Sequence, residues 1–217
     1  MPRSRIPLPT WDEHVARWKD CRACGLCDQR FRICLARGTA PCDVLFIGEA
    51  PGASEDALGL PFVGPAGRLL DQVIERAVTP LGVTYALTNL VCCFPAEAKA
   101  TKDHQPTSAE IQACEPRLID LVNVVRPRLI VCVGALAKQW VDHEDTVTCC
   151  DIDHPAFILR MPLAQKQMAV QKCVVQVRNA VEDVLQSGRT FTKWGNGNHA
   201  SLTPKQRIRK EYDDLPF

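Results

Sequence analysis

The chain has 217 residues, of which 46% are hydrophobic and 24% charged, and a formal net charge of +1. This is the composition of a soluble globular protein with enough length for one well-buried domain. With no apolar run of membrane-spanning length and no signal-like core in residues 1–9, neither a membrane protein nor an exported one is expected, and a cytoplasmic location is.

The near-zero charge sum says nothing about a nucleic-acid partner, because what matters there is a basic face rather than a total. The twelve cysteines say more. Disulfides are rare in a cytosolic chain, so this many thiols points to a metal or cluster site, although Cys132, inside Leu129-Ile-Val-Cys-Val133, reads as strand core.

In chain order, Trp11 to Lys19 is loosely amphipathic and leads into Cys21-Arg-Ala-Cys24. Such a pair brings two thiolates to one metal or cluster face and needs two further ligands from elsewhere; a zinc knuckle and a redox pair are the alternatives. Val44 to Ile47 is an apolar run of buried-strand type, stopped abruptly by Gly48, Pro51 and Gly52. Gly64 and Gly67 punctuate a second turn, and Leu69, Leu70, Val73 and Ile74 then follow at the spacing of one helical face. This unit is strand, loop, helix. In open α/β sheets ligands gather at the carboxyl ends of strands, so Glu49, Glu55, Asp56 and Phe62 fall where chemistry is expected. Neither Gly-Lys-Ser/Thr nor G-x-G-x-x-G occurs here, which disfavours nucleoside triphosphate binding.

Thr84 to Val91 is a second strand candidate with Asn89 near its end, and Leu129 to Val133 is a third, followed by a glycine turn and a helix start. Thr146 to Ile152 is a fourth, running into Asp153-His-Pro-Ala-Phe-Ile-Leu-Arg160. Gln165 to Leu185 reads as a closing helix, with Val170, Val174, Val177, Val181 and Val184 on its core side. Strands alternating with helical crossovers predict a three-layer αβα fold with a central four-stranded parallel sheet. The expected organisation is a lead-in over residues 1–20, one domain over 21–186 and a flexible extension over 187–217, with no internal repeat.

Gly48-Glu-Ala-Pro-Gly52, followed by Glu55-Asp56 and Pro61-Phe-Val-Gly-Pro-Ala-Gly-Arg-Leu-Leu-Asp71, resembles the first motif of the family-4, iron–sulfur uracil-DNA glycosylases. His154-Pro-Ala-Phe-Ile-Leu-Arg160 resembles the second, with Ala156 in place of its serine, and the likeness spans about Cys21 to Val184. The resemblance implies hydrolysis of the N-glycosidic bond of deoxyuridine in DNA, single- or double-stranded, in base excision repair; a monomer is expected. It implies Glu49, Glu55 and His154 as catalytic residues, the carboxylates orienting water or stabilising the sugar and the histidine donating to uracil O2. Phe62 would stack on the extruded base, Asn89 would read its edge, and Ala50 and Gly52 would complete the pocket. Arg160 would grip phosphate with help from Ser54, the Gly64–Gly67 backbone and Lys102, and either Leu159 or Arg160 would wedge the gap in the stack. Ala50 stands where another branch of the superfamily carries a catalytic Asp, so a base at that position is excluded.

By the same likeness Cys21, Cys24, Cys93 and Cys114 would hold a structural [4Fe–4S] cluster. The loop after Cys93 departs from the pattern, with sixteen residues before Glu110 and a start, Ala96 to Asp103, that lacks the family's proline and arginine. A long basic loop occurs here in the crosslinking uracil-DNA glycosylase X group, whose loop histidine bonds covalently to the abasic sugar. That makes His104 a candidate for crosslinking, one residue out of register, and leaves a non-turning-over binder or a repair accessory as alternative functions.

Overall fold

The computed structural model describes residues 9–95, 105–141 and 147–188. Five strands form one sheet: β1 (Arg37–Gly38), β2 (Val44–Gly48), β3 (Tyr85–Asn89), β4 (Leu129–Val133) and β5 (Thr148–Ile152), in the spatial order β1-β3-β2-β4-β5. The last four are parallel to their neighbours, and β1 runs antiparallel to β3 at the edge. The expected four-stranded sheet is thereby corrected to five strands, mostly parallel. β1 carries no apolar alternation to announce it. Its Gly38 has φ 121°, and a Cβ there would strike the Tyr85–Ala86 backbone.

Helices cover both faces because alternate residues of the buried strands point opposite ways. Val44 and Phe46 face α3 (Pro65–Ala77) and α7 (Leu163–Gln186), whereas Leu45 and Ile47 face α4 (Ser108–Val125). The expected valine stripe of α7, Val170 to Val184, is buried. α1 (Trp11–Trp18) packs on α4, where Asp120 accepts from His14 Nδ1 at 2.8 Å, Trp18 Nε1 at 2.8 Å and Arg17 Nη1 at 2.9 Å. That anchor delivers the chain to Cys21 and Cys24. Short helices α2 (Ala53–Leu58), α5 (Ala135–Trp140) and α6 (Pro155–Leu159) follow β2, β4 and β5, so each starts at the carboxyl end of the sheet. Among the described residues no helix is long and apolar enough to cross a membrane.

Candidate active site

Parallel strands deliver their carboxyl ends to one side. β2 lies between β3 and β4, so the chain leaves it in one direction to build β3 and returns past it to build β4, which opens a crevice at the switch point. A cleft of about 900 Å³ occupies that place. It is lined by Glu49, Ala50, Gly52, Glu55, Phe62, Asn89, His154 and Arg160 together, so residues separated by more than a hundred positions meet there.

The loop after β2 is built by Glu55. Its carboxylate accepts the backbone N–H groups of Gly52 at 3.2 Å, Val63 at 2.9 Å and Gly64 at 2.7 Å, tying the start of α2 to the turn before α3. Asp56 turns the other way and accepts from Phe31 N at 2.9 Å, so it takes no part in the cleft wall. Glu49 differs from both. It is half-buried, no described residue hydrogen-bonds its carboxylate, and burial alone pushes its carboxyl above the ordinary glutamate range. A carboxylate with free lone pairs in a partly dry cleft is suited to accept a proton.

Phe62 and Asn89 are neighbours because Gly48 separates them with no side chain. A Cβ on Gly48 would overlap the Phe62 ring and lie 2.5 Å from Asn89 Oδ1. Asn89 is buried at the end of β3, opposite Gly48 in register, with its side-chain amide on the cleft. A flat ring beside an amide that both donates and accepts suits a planar ligand with hydrogen-bonding edges.

His154 caps α6, its Nδ1 accepting the N–H of Ala156 at 3.1 Å. A backbone N–H can only donate, so Nδ1 carries no proton and the neutral ring holds its proton on Nε2. Burial, and then the charge of Arg160, push the imidazole below its ordinary value, which keeps the ring neutral. Gly134, φ 96°, gives it room: a Cβ there would lie 3.0 Å from His154 Cβ.

Behind the cleft, Arg117 of α4 is fully buried and donates to Thr88 Oγ1 at 2.8 Å and to the carbonyls of Asn89 at 2.7 Å and Leu90 at 2.9 Å. It also reaches Cys114 Sγ at 3.6 Å. Arg30 Nη1 donates to Cys93 Sγ at 3.1 Å, and Cys92 Sγ lies 3.6 Å from Cys114 Sγ. The Cys92 contact, then Arg117, pulls the Cys114 thiol down; the Cys92 contact, then Arg30, does the same for Cys93. Cys24 lies close enough to feel both. A guanidinium on each of two thiols is the chemistry of a thiolate ligand set, although the side chains of the described residues form no closed metal-binding group.

Of the two wedge candidates, Leu159 packs partly buried against the core and does not line the cleft, whereas Arg160 does line it, as does the half-exposed Phe157. His104, Lys99 and Lys102 lie outside the described residues, as do Thr146 and the extension beyond Gly188. The sequence reading gives no role to Arg37, Arg117 or Phe157, and it takes Gly48 and Gly134 only as residues that end strands in turns. Arg117 alone left a signal, a charge on the otherwise apolar Ile111–Cys114–Leu118–Leu121 stripe.

A sequence model of the uracil DNA glycosylase superfamily matches residues 36–178. Similar proteins include the type-4 uracil-DNA glycosylase of Pyrobaculum aerophilum, 36% identical over 121 residues, which are 56% of this chain and 59% of that protein. The type-4 uracil-DNA glycosylase of Archaeoglobus fulgidus is 32% identical over 134 residues, 62% of this chain and 64% of its own length. That of Saccharolobus solfataricus is 35% identical over 123 residues, 57% and 55% respectively. The chain thus spans less than two thirds of the length of each of these relatives.

Proposed function

The chain belongs to the uracil DNA glycosylase superfamily, and we propose that it hydrolyses the N-glycosidic bond of deoxyuridine in DNA, releasing uracil and leaving an abasic site for repair. The observation that carries this reading is the convergence of Glu49, Phe62, Asn89 and His154 on one cleft.

Breaking this bond places positive charge on the sugar and negative charge on the departing base. Uracil extruded from the stack lies on the Phe62 ring, and the Asn89 amide accepts from N3–H while donating to O4. His154, neutral with its proton on Nε2, donates to O2 as charge accumulates there. A neutral donor suits an anion that must still depart, and its orientation is fixed in advance by the Ala156 N–H. Glu49 orients the attacking water and offsets the charge on the sugar. Glu55, its lone pairs engaged by three backbone N–H groups, acts by holding the loop in shape. This divides the two carboxylates that the sequence left equivalent.

Extrusion costs roughly a few kcal/mol, least for unpaired or mispaired uracil. Arg160 supplies phosphate grip at the rim, and Phe157 fills the gap left in the stack. Cys21, Cys24, Cys93 and Cys114 would hold a [4Fe–4S] cluster, whose contribution is structural because base excision transfers no electron. We read the sheet and its two helix layers as a three-layer αβα unit. One copy of the chain carries every residue named, so a monomer suffices.

The test is a comparison of Asn89→Ala and His154→Ala with the wild type on a uracil-containing oligonucleotide. Both variants should lose at least about a hundredfold in uracil release while still binding DNA. Undiminished release by either would remove its residue from the mechanism.

A further inference from the structure

We propose that Arg37, paired with Asp71, is a positioning residue that fixes Phe62 in the backbone conformation presenting its ring to the base. The inference rests on the reading of Phe62 as the stacking residue.

Phe62 has φ 58°, in the left-handed region where a bulky side chain is strained. Such a conformation persists only where the surroundings determine it. Arg37 Nε donates to the carbonyl of Pro61 at 2.8 Å, and Nη2 donates to the carbonyl of Phe62 at 3.0 Å. The same Nη2 reaches Asp71 Oδ1 at 2.6 Å, so the first turns of α3 hold the guanidinium in place. On the far side of the residue, Glu55 takes the N–H groups of Val63 and Gly64. The carbonyls around Phe62 are therefore held by a cation and the following N–H groups by an anion. Gly67 completes the cage, since any Cβ there would collide with the Phe62 carbonyl.

Arg37 and Asp71 are not among the residues lining the cleft. They act on the base only through Phe62, and their contribution must vanish when the ring is gone. The planar fork matters: an ammonium reaches one carbonyl but cannot span two consecutive ones in fixed geometry while keeping its carboxylate. Arg37 thus gives the two-residue edge strand a purpose that sheet pairing alone does not.

The experiment is a double-mutant cycle of Arg37→Lys and Phe62→Ala, read as kcat and KM for uracil release from a uracil-containing oligonucleotide and as inhibition by free uracil. Arg37→Lys should lower kcat/KM about tenfold in the wild-type background, with weaker inhibition by uracil, and less than about twofold once Phe62 is alanine. Equal losses in both backgrounds would overturn the proposal while leaving the glycosylase reading intact. A wild-type protein that releases no uracil would overturn that reading and this proposal with it. Asp71→Asn, which leaves both carbonyl contacts of Arg37 possible, provides the second arm should Arg37→Lys not fold. It must show the same dependence on Phe62, and an additive loss there overturns the proposal equally.

Discussion

Arg117 Nη2 donates to the main-chain carbonyl of Asn89 at 2.7 Å. Asn89 is thereby tied to a guanidinium that also touches Cys114, so the cysteine-rich end of the molecule and the floor of the cleft share one buried cation. Replacing it leaves Thr88 and two carbonyls without their donor. Arg117→Met should destabilise the protein by about 3–5 kcal/mol, the range for breaking a buried charged network, and denaturant unfolding measures it.

Gly48→Ala places a methyl between Phe62 and Asn89, where no space exists. Uracil release should fall at least about tenfold, while the salt dependence of DNA binding should stay the same because no phosphate contact is touched. Steady-state kinetics beside a binding titration at several salt concentrations checks both.

Glu49 has its carboxyl raised by burial, so the folded state favours the protonated form. The sign follows from linkage. The group's favourable contribution is present below the unfolded value and is lost as pH rises through the folded one, so at neutral pH the buried charge opposes folding. Glu49→Gln should therefore raise the unfolding midpoint at neutral pH, with the gain shrinking as pH falls into the ordinary glutamate range, and should abolish catalysis. Thermal melts across pH decide it.

His154 moves the other way. Its folded value is depressed by burial, so in the range between that value and the ordinary histidine one only the unfolded chain gains a proton, and stability declines as pH falls through this window. The ring itself stays neutral there. The acid limb of kcat/KM should consequently follow Glu49 rather than His154, and should persist unshifted in a His154→Gln variant with residual activity. A pH–rate profile of both proteins is the check.

Cys93 and Cys114, each beside a guanidinium, should carry iron and acid-labile sulfide in protein purified without oxygen. Cys114→Ser should lose both and lower the unfolding midpoint. Metal analysis showing zinc and no sulfide would replace the cluster with another metal.

The parts legible in sequence were those with short-range signals. Val44 to Ile47 and Leu129 to Val133 announced strands by continuous apolar runs, and the valine stripe of α7 announced its buried face. The resemblance to the family's motifs picked out eight residues that the fold brings to one cleft. What stayed hidden depends on approach between distant segments. β1 is two residues long and pairs through backbone groups any sequence possesses. The different surroundings of Glu49 and Glu55 follow from which backbone N–H groups face them, and the tautomer of His154 follows from the helix start it caps. Composition and spacing carry none of that.

The central claim is uracil excision with turnover, and incubating the protein with an excess of a uracil-containing single-stranded oligonucleotide tests it most directly. The account predicts many uracils released per protein molecule, alkali-labile abasic sites, and no release from the same oligonucleotide carrying thymine. No free uracil, or a protein–DNA adduct that survives denaturation and stops the reaction after one event, would contradict it.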